Sequence, residues 1–424
     1  MHHVILGAGP AGVIAAETIR KHRPGDAITI VGDEKEPPYS RMAIPYLLMG
    51  NIAEQGTWLR KGTGHFEALQ IKLVQARATN VDTGARTVAL DDGQQLRFDA
   101  LLIATGSTPV RPPIPGIDLP GVHPCWTLDD ARKIMGLAVQ GARVLQMGAG
   151  FIGCIIMEAL AARGVHLSVV EMGDRMVPRM MGPTAGGMIK DWCEKKGVEV
   201  FTGTRVEAIE AAAPLSVRLS NGTRLPVDLV ISATGVKPTI GFLEHSGVTC
   251  LLGVLTDEHM QTSVPGIYAA GDCAEAFDKI SGKTIVSAIQ PNAAEQARVA
   301  GLNMAGQKAV LPGVTQINVL DTLGMVSASF GDWQGVPGGE HVELTDRAAG
   351  RHLSLQFKGD VMVGCNSVGW MDHVGVLRGL VEGQVKLGPW KDHLKQDPTR
   401  LMEAYLASAQ GGGQWQGAGD ARRR

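Results

Sequence analysis

The sequence has no pair of cysteines in the C-x-x-C spacing, so neither a local redox dithiol nor a zinc site is predicted. Its six cysteines are scattered over positions 125, 154, 193, 250, 273 and 365, which is typical of reduced, buried thiols. His2, His3 and His373 also lack the spacing of metal ligands. We therefore expect no metal centre in this chain.

An excess of charge of one sign is also missing. Forty Lys and Arg side chains face 42 Asp and Glu, which leaves a net charge of -2. This balance gives no basic surface for nucleic acid or for a membrane. The N-terminus has no charged region followed by an apolar segment and a cleavage site, so we expect a cytoplasmic protein with small molecules or proteins as partners.

Glycine, by contrast, is abundant at 55 residues, and it is concentrated in particular turns. The stretch HVILGAGPAGVIAAETIR runs from an apolar strand into a G-x-G-x-x-G turn and then an Ala-rich helix. A second strand, AITIV, leads to Asp33 and Glu34 about twenty residues later. Because the helix start attracts a pyrophosphate and the acids suit ribose hydroxyls, this pattern predicts a dinucleotide site.

The same pattern returns in ARVLQMGAGFIGCIIMEALAARGVHLSVVE, which ends at Glu171. Two dinucleotide sites in one chain indicate a flavoprotein that exchanges hydride with a nicotinamide. Glu171 would bind ribose hydroxyls and repel a 2′-phosphate, so we expect NADH rather than NADPH. Arg175 is the alternative, since it would attract that phosphate unless it is an ordinary surface arginine.

Three further strand ends carry small residues. LLIATGSTP and LVISATGVKP share one pattern, in which the glycine allows the chain to pass close to a cofactor or between domains, although a plain tight turn also uses it. VPGIYAAGDCAEA places Asp272 between a strand and a predicted helix. This carboxylate suits sugar-alcohol hydroxyls of a flavin, while helix capping remains open beside it.

These motifs, in this order, resemble the FAD-dependent pyridine nucleotide–disulfide oxidoreductase family, the flavoproteins with two dinucleotide-binding domains. The resemblance covers about residues 3 to 395. It implies an α/β fold with two Rossmann-like domains and a C-terminal α+β interface domain. The implied boundaries are residues 1–110 and 240–314 for FAD, 111–239 for NAD(H), 315–405 for the interface domain and 406–424 for a flexible tail.

The resemblance also implies site residues. For FAD they are Gly7, Gly9, Pro10, Ala11, Gly12, Asp33, Glu34, Arg41, Ala104, Thr105, Gly106, Gly271, Asp272, Asn292 and Ala293. For NAD they are Gly148, Gly150, Phe151, Ile152, Gly153, Glu171, Ala233, Thr234 and Gly235.

The segment YSRMAIPYLLMG is similar to A-S-C-G-L-P-Y-Y-I-G-G of NADH oxidases, NADH peroxidases and coenzyme A disulfide reductases. Met42 stands where those enzymes have their redox cysteine. Because a thioether forms neither a thiolate nor a mixed disulfide, we expect their disulfide and peroxide chemistry to be absent. What remains resembles the cysteine-free ferredoxin, rubredoxin and nitrite reductase components.

The sequence departs from the family pattern in two places, one near the nicotinamide and one in the third domain. Ile155 stands where many relatives have a glutamate near the nicotinamide, and Glu158 lies one helical turn farther on. The stretch TQINVLDTLGMVSASFG lacks the tryptophan of ferredoxin reductases. Alternation in RHLSLQFKGDVMVGCNSVG predicts antiparallel strands, and GVLRGLVEGQ predicts a short helix.

The expected function is therefore an enzyme that moves hydride between NADH and FAD, and single electrons between FAD and an iron–sulfur or other metalloprotein. The chain would be a homodimer or a subunit of a larger complex, of which a tungsten aldehyde oxidoreductase is one candidate. Two alternatives stay open at this point: an NADH oxidase acting on oxygen, and a non-catalytic flavoprotein with a structural or assembly role.

Overall fold

A computed structural model describes residues 1–410 of the chain. The chain packs into two compact units. The first comprises residues 1–110, 126–131 and 236–314, and the second comprises residues 111–125, 132–235 and the chain from 315 onward.

The described residues form many short strands, with helices between some of them. The strands are β1 (His2–Leu6), β2 (Ala27–Gly32), β3 (Ile71–Gln75), β4 (Ala78–Asp82), β5 (Thr87–Leu90), β6 (Gln95–Arg97), β7 (Ala100–Ile103), β8 (Ser107–Pro109), β9 (Val122–Pro124), β10 (Arg143–Met147), β11 (His166–Val170), β12 (Glu199–Phe201), β13 (Val206–Glu210), β14 (Leu215–Leu219), β15 (Arg224–Val227), β16 (Leu229–Ser232), β17 (Val236–Pro238), β18 (Val254–Leu255), β19 (Ile267–Ala269), β20 (Ala274–Phe277), β21 (Thr284–Val286), β22 (Ile317–Thr322), β23 (Met325–Gly331), β24 (Glu340–Asp346), β25 (Arg351–Lys358) and β26 (Val361–Val368). The helices are α1 (Pro10–His22), α2 (Ile44–Leu48), α3 (His65–Ala68), α4 (Leu128–Leu137), α5 (Phe151–Ala162), α6 (Pro183–Lys195), α7 (Gln290–Met304), α8 (Val374–Glu382), α9 (Trp390–Gln396) and α10 (Leu401–Tyr405).

The first unit is built on a parallel sheet with the strand order β19-β7-β1-β2-β3. Its central strands are continuous apolar runs because helices cover a parallel sheet on both faces. Val4, Ile5 and Leu6 of β1 are fully buried, as are Leu101 and Leu102 of β7. The carboxyl ends of β1, β2 and β7 therefore lie along one edge, where ligands bind in sheets of this kind.

The second unit contains a corresponding parallel sheet with the order β12-β11-β10-β16-β9. It also contains an antiparallel sheet with the order β22-β23-β26-β25-β24. Helices α8, α9 and α10 follow this sheet in the sequence. β25 and β26 pair antiparallel and α8 is a short helix, so both predictions for this region are confirmed.

The predicted fold class is confirmed, with two parallel nucleotide-binding sheets and a C-terminal α+β region. The three predicted domain boundaries stay a prediction. Residues 406–410 form a further helical turn, and the rest of the predicted tail, 411–424, lies outside the described residues. Among residues 1–410, no helix has both the length and the apolar character that a membrane span needs.

Candidate cofactor sites

The first glycine turn connects β1 to α1, and two of its glycines are required by the protein's own backbone. Gly7 has φ +118°, and a Cβ there would lie 2.0 Å from the carbonyl oxygen of Ala104. A Cβ on Gly12 would lie 1.9 Å from the carbonyl oxygen of Gly7. Any side chain at these positions would therefore force the strand and the helix apart.

Gly9 has a different environment. A Cβ at this position would meet no atom within 4 Å. Gly9 is the N-cap of α1, no side chain caps the helix, and Pro10 and Ala11 begin its first turn. Unpaired N–H groups at a positive helix end, facing open space, are what a pyrophosphate binds. The turn therefore fits the phosphates of a dinucleotide.

The two acids that follow β2 have different partners. Asp33 pairs with Arg77 at 2.8 Å, and both side chains are exposed. Glu34 accepts hydrogen bonds from the Tyr39 hydroxyl at 2.5 Å and from the Arg41 guanidinium at 2.7 Å. Burial, reinforced by Glu34, raises the pKa of Tyr39, so its hydroxyl remains a donor. Glu34 is thus held in place, with lone pairs left for a ribose.

Asp272 follows the third strand end of this unit. Its carboxylate accepts a hydrogen bond from the Ser107 hydroxyl at 2.8 Å. Burial raises the pKa of Asp272, and the Ser107 bond and the Arg41 charge oppose that rise. The neighbouring Gly271 donates its N–H to the buried side-chain oxygen of Gln296 at 2.8 Å. This geometry leaves the Asp272 carboxylate able to accept from sugar hydroxyls.

The other residues predicted for FAD lie near the same edge of the parallel sheet of the first unit. A Cβ on Gly271 would lie 3.3 Å from the Cβ of Ala11 and 3.8 Å from that of Ala293, so these three positions are adjacent. Ala104 borders Gly7, while the Thr105 hydroxyl donates to the Thr239 carbonyl and Gly106 has φ +66°. Asn292, in the first turn of α7, donates its amide to Ser287. Asp33 accepts a hydrogen bond from Arg77.

The second glycine turn repeats the geometry of the first. A Cβ on Gly148, which has φ +97°, would lie 2.4 Å from the Ala233 carbonyl oxygen, and one on Gly153 would lie 2.5 Å from the Gly148 oxygen. A Cβ on Gly150 would meet no atom within 4 Å. Phe151 and Ile152 begin α5, which has no side-chain cap. Thr234 and Gly235 follow Ala233 in an exposed turn. A second pyrophosphate fits here.

Glu171 is pre-oriented at the end of β11. Its carboxylate accepts the Ala149 N–H at 2.8 Å and the Gly173 N–H at 2.7 Å. Arg175 is not available for a 2′-phosphate, because its guanidinium donates to the Met181 carbonyl at 2.8 Å and to Asp174 at 2.7 Å. The local charge offered to the ribose is therefore negative, which favours NADH.

Ile155 and Glu158 are both half-buried on α5. Burial raises the pKa of Glu158, and so does the nearby carboxylate of Asp321 in β22. Glu158 is therefore oriented toward β22, within the second unit.

Met42 is 51% exposed, in the 3-10 turn Arg41–Ala43 that follows β2 in the chain. The cysteines are elsewhere and mostly buried. Burial raises the pKa of the Cys193 and Cys365 thiols to about 12 and that of Cys273 to about 11. It also raises the pKa values of Cys154 and Cys250. These thiols are therefore protonated near neutral pH and poor nucleophiles.

Four residues of this region were missed by the motifs. Tyr39 and Ser107 adjoin predicted positions, and their hydroxyls would have been reasonable candidates. Gln296 and Trp126 gave no signal, because a buried amide in a helix and a single tryptophan carry no spacing pattern. Trp126 donates its indole N–H to the Ser107 carbonyl at 3.0 Å and lies under the Arg41 guanidinium.

Comparison with known proteins agrees with this geometry. The profile of the family described as pyridine nucleotide-disulphide oxidoreductase matches residues 1–301. The chain is 32% identical over 409 residues to NADH-dependent phenylglyoxylate dehydrogenase subunit epsilon of Aromatoleum evansii, covering 96% of this chain and 97% of that protein. It is 33% identical to an NADH oxidase of Methanocaldococcus jannaschii over 73% of this chain and 71% of that one. The solved structure of an NAD-dependent persulfide reductase from A. fulgidus has a TM-score of 0.86 and 29% identity, covering 92% of this chain and 78% of that chain.

Replacing Gly9 by alanine should weaken FAD binding without lowering the melting temperature of the cofactor-free protein. A methyl group there enters the space in front of α1 and touches no protein atom. Gly12→Ala is the matched control, because its methyl group meets the Gly7 carbonyl and should lower the melting temperature itself. Equilibrium dialysis against FAD and thermal unfolding measure the two effects. Equal losses of stability in both variants would contradict the assignment of Gly9.

Replacing Glu171 by glutamine should reduce the preference for NADH over NADPH, by about tenfold, because the negative charge facing a 2′-phosphate is removed. Stopped-flow rates of flavin bleaching with each nucleotide measure the ratio. Glu210→Gln is the control, since this exposed carboxylate of β13, in the same unit, pairs with Arg224 at 2.7 Å. A ratio unchanged in Glu171→Gln would show that Glu171 does not face the ribose.

Proposed function

Because the chain belongs to the pyridine nucleotide-disulphide oxidoreductase family, we propose that it oxidises NADH through FAD and delivers the electrons singly to an iron–sulfur or other metal-containing protein. Members of the family are NAD(H)-dependent flavin oxidoreductases, and this chain is an enzyme of that kind. The identity of the acceptor is the part that we propose.

Met42 is the observation that carries the proposal. The segment that holds the redox cysteine in related disulfide and peroxide reductases has a thioether here, exposed and without acid–base chemistry. The cysteines with raised pKa values lie elsewhere in the chain, and none offers a thiolate in its place. Position 42 therefore offers electrons no thiol route, and persulfide reduction, named for the structural relative, is not proposed.

The residues around the first glycine turn have binding and orienting roles in this proposal. The uncapped start of α1 holds the pyrophosphate, Glu34 accepts from a ribose, and Asp272 accepts from the sugar-alcohol chain. Bound FAD supplies the chemistry that joins a two-electron donor to one-electron acceptors. The start of α7, near Asn292 and Ala293, directs N–H groups that favour negative charge.

The second unit presents NADH in the same way. The uncapped start of α5 binds its pyrophosphate, and Glu171 accepts from the ribose hydroxyls. Ile155 gives the nicotinamide an apolar neighbour in place of a carboxylate. Position 155 therefore supplies no proton acceptor, which suits the transfer of hydride without general acid–base catalysis.

The relatives support a role within a larger assembly. The Aromatoleum protein, aligned over almost its whole length, is named as a subunit of an NADH-dependent dehydrogenase. A subunit that exchanges electrons with NADH on behalf of partner subunits would need the arrangement described above. A tungsten-containing partner stays a prediction.

Oxygen is the second candidate acceptor, since the Methanocaldococcus relative is named as an NADH oxidase. The rates of electron transfer to a one-electron acceptor and to oxygen distinguish these two functions. A one-electron carrier is favoured if ferricyanide or a ferredoxin accepts electrons much faster than oxygen does.

NADH added without oxygen should bleach the yellow flavin absorbance within seconds, with two electrons taken up per FAD. Each NADH should then reduce two molecules of ferricyanide, while coenzyme A disulfide and hydrogen peroxide should be reduced poorly. Alkylation of the cysteines in protein that stays folded should leave the NADH–ferricyanide rate largely intact. Uptake of four electrons per FAD, or loss of turnover on alkylating one thiol, would show that a cysteine has the redox role.

A further inference from the structure

Trp126 lies outside both glycine motifs but within the first unit. Residues 126–131 pack with this unit, although the chain on either side, 111–125 and 132–235, belongs to the second. Within the first unit, the Leu128 N–H donates to the Tyr39 hydroxyl at 3.3 Å. This short stretch therefore contributes side chains to a region that the motifs around Gly7 and Asp272 define.

The backbone of Trp126 is fixed by the start of α4. The Asp130 carboxylate accepts from the N–H groups of Trp126 at 3.2 Å and of Thr127 at 2.9 Å. The Thr127 hydroxyl in turn accepts the Asp130 N–H at 3.2 Å, which completes a reciprocal cap. The indole thus extends from a rigid helix start rather than from a free loop.

The indole is fixed as well. Its N–H donates to the Ser107 carbonyl at 3.0 Å, and the Arg41 guanidinium carbon lies 5.1 Å from the ring centroid. This is the distance of a cation–π contact. Arg41 also reaches the Ser107 carbonyl at 3.4 Å and the Glu34 carboxylate at 2.7 Å. Three separate contacts therefore determine where the guanidinium lies.

We propose that Trp126 is a positioning residue of the FAD site, whose indole, anchored on the Ser107 carbonyl, holds Arg41 in its binding orientation. The inference rests on the proposed function, because FAD is the cofactor of that function and the family resemblance gives Arg41 to the FAD site. An arginine side chain has several rotatable bonds, and freezing it beforehand removes an entropy cost from binding. The Arg41 charge is also one of the groups that oppose protonation of the buried Asp272 carboxyl, whose pKa burial raises.

The chain offers a matched control in the second unit. Trp192 also donates its indole N–H to a backbone carbonyl, that of Leu323 at 3.1 Å, and its ring faces Lys196 at 4.6 Å. The two tryptophans thus make the same kinds of contact, but Trp192 has no part in the candidate FAD site. A general effect of losing such a tryptophan would appear in both variants.

The test compares FAD dissociation constants of the full chain, stripped of flavin and retitrated by equilibrium dialysis. Trp126→Ala should weaken FAD binding about tenfold, and Trp126→Phe, which keeps a ring but loses the anchoring N–H, about threefold. Trp192→Phe should leave the constant unchanged. Melting temperatures of the cofactor-free proteins identify any variant that fails to fold. If Trp126→Ala does not fold, the FAD dissociation constants of Trp126→Phe and Trp192→Phe are compared instead.

A double-mutant cycle with Arg41→Gln separates positioning from a direct or structural role. If Trp126 acts through Arg41, adding Trp126→Ala to Arg41→Gln should weaken FAD binding less than about twofold further. An undiminished effect in the Arg41→Gln background, or wild-type affinity in both Trp126 variants, overturns the inference. Wild-type protein that binds no FAD would instead overturn the proposed function, and the inference with it.

Discussion

Both nucleotide sites depend on one close contact between backbones, in which the turn after a central strand packs directly on the end of the neighbouring strand. In the first unit the turn at Gly7 lies against Ala104, and in the second the turn at Gly148 lies against Ala233. The contact excludes a side chain from the first glycine of each turn, and the packing of the helix on the turn excludes one from the third. It thereby brings the helix start to the sheet edge, where its N–H groups are directed at the ligand. The acids at the neighbouring strand ends follow from the same geometry.

The two sites are alike in the turn and differ in how their acids are held. Glu171 is oriented by two backbone N–H groups, and no cationic side chain is among these two donors. Glu34 is oriented by two side chains, Tyr39 and Arg41. A carboxylate paired with arginine presents less net charge to its ligand. The proposed discrimination between nucleotides by charge is therefore assigned to the second site, while the first draws its contacts from several distant stretches of chain.

The local patterns were readable from the sequence. Strand, glycine turn, helix, strand and acid follow one another within about thirty residues, so Gly7, Gly150 and Glu171 were placed by spacing alone. The pairing of β25 with β26 followed from alternation. Trp126 was not predictable, because its contact with Arg41 joins distant segments and a lone tryptophan has no periodicity. The sequence also did not predict that Arg175 donates hydrogen bonds to the Met181 carbonyl and to Asp174.

The uncapped starts of α1 and α5 also affect how much of the protein stays folded in a cell. A helix start that no side chain caps is completed by its ligand, so the stability of the folded chain rises with the logarithm of the free ligand concentration. A ligand at a hundred times its dissociation constant adds about 2.7 kcal/mol to the free energy of unfolding. Unfolded molecules are removed by proteases, and such an increment changes abundance several-fold. Riboflavin starvation would then lower the amount of this protein as well as its activity, and so match its level to the flavin available.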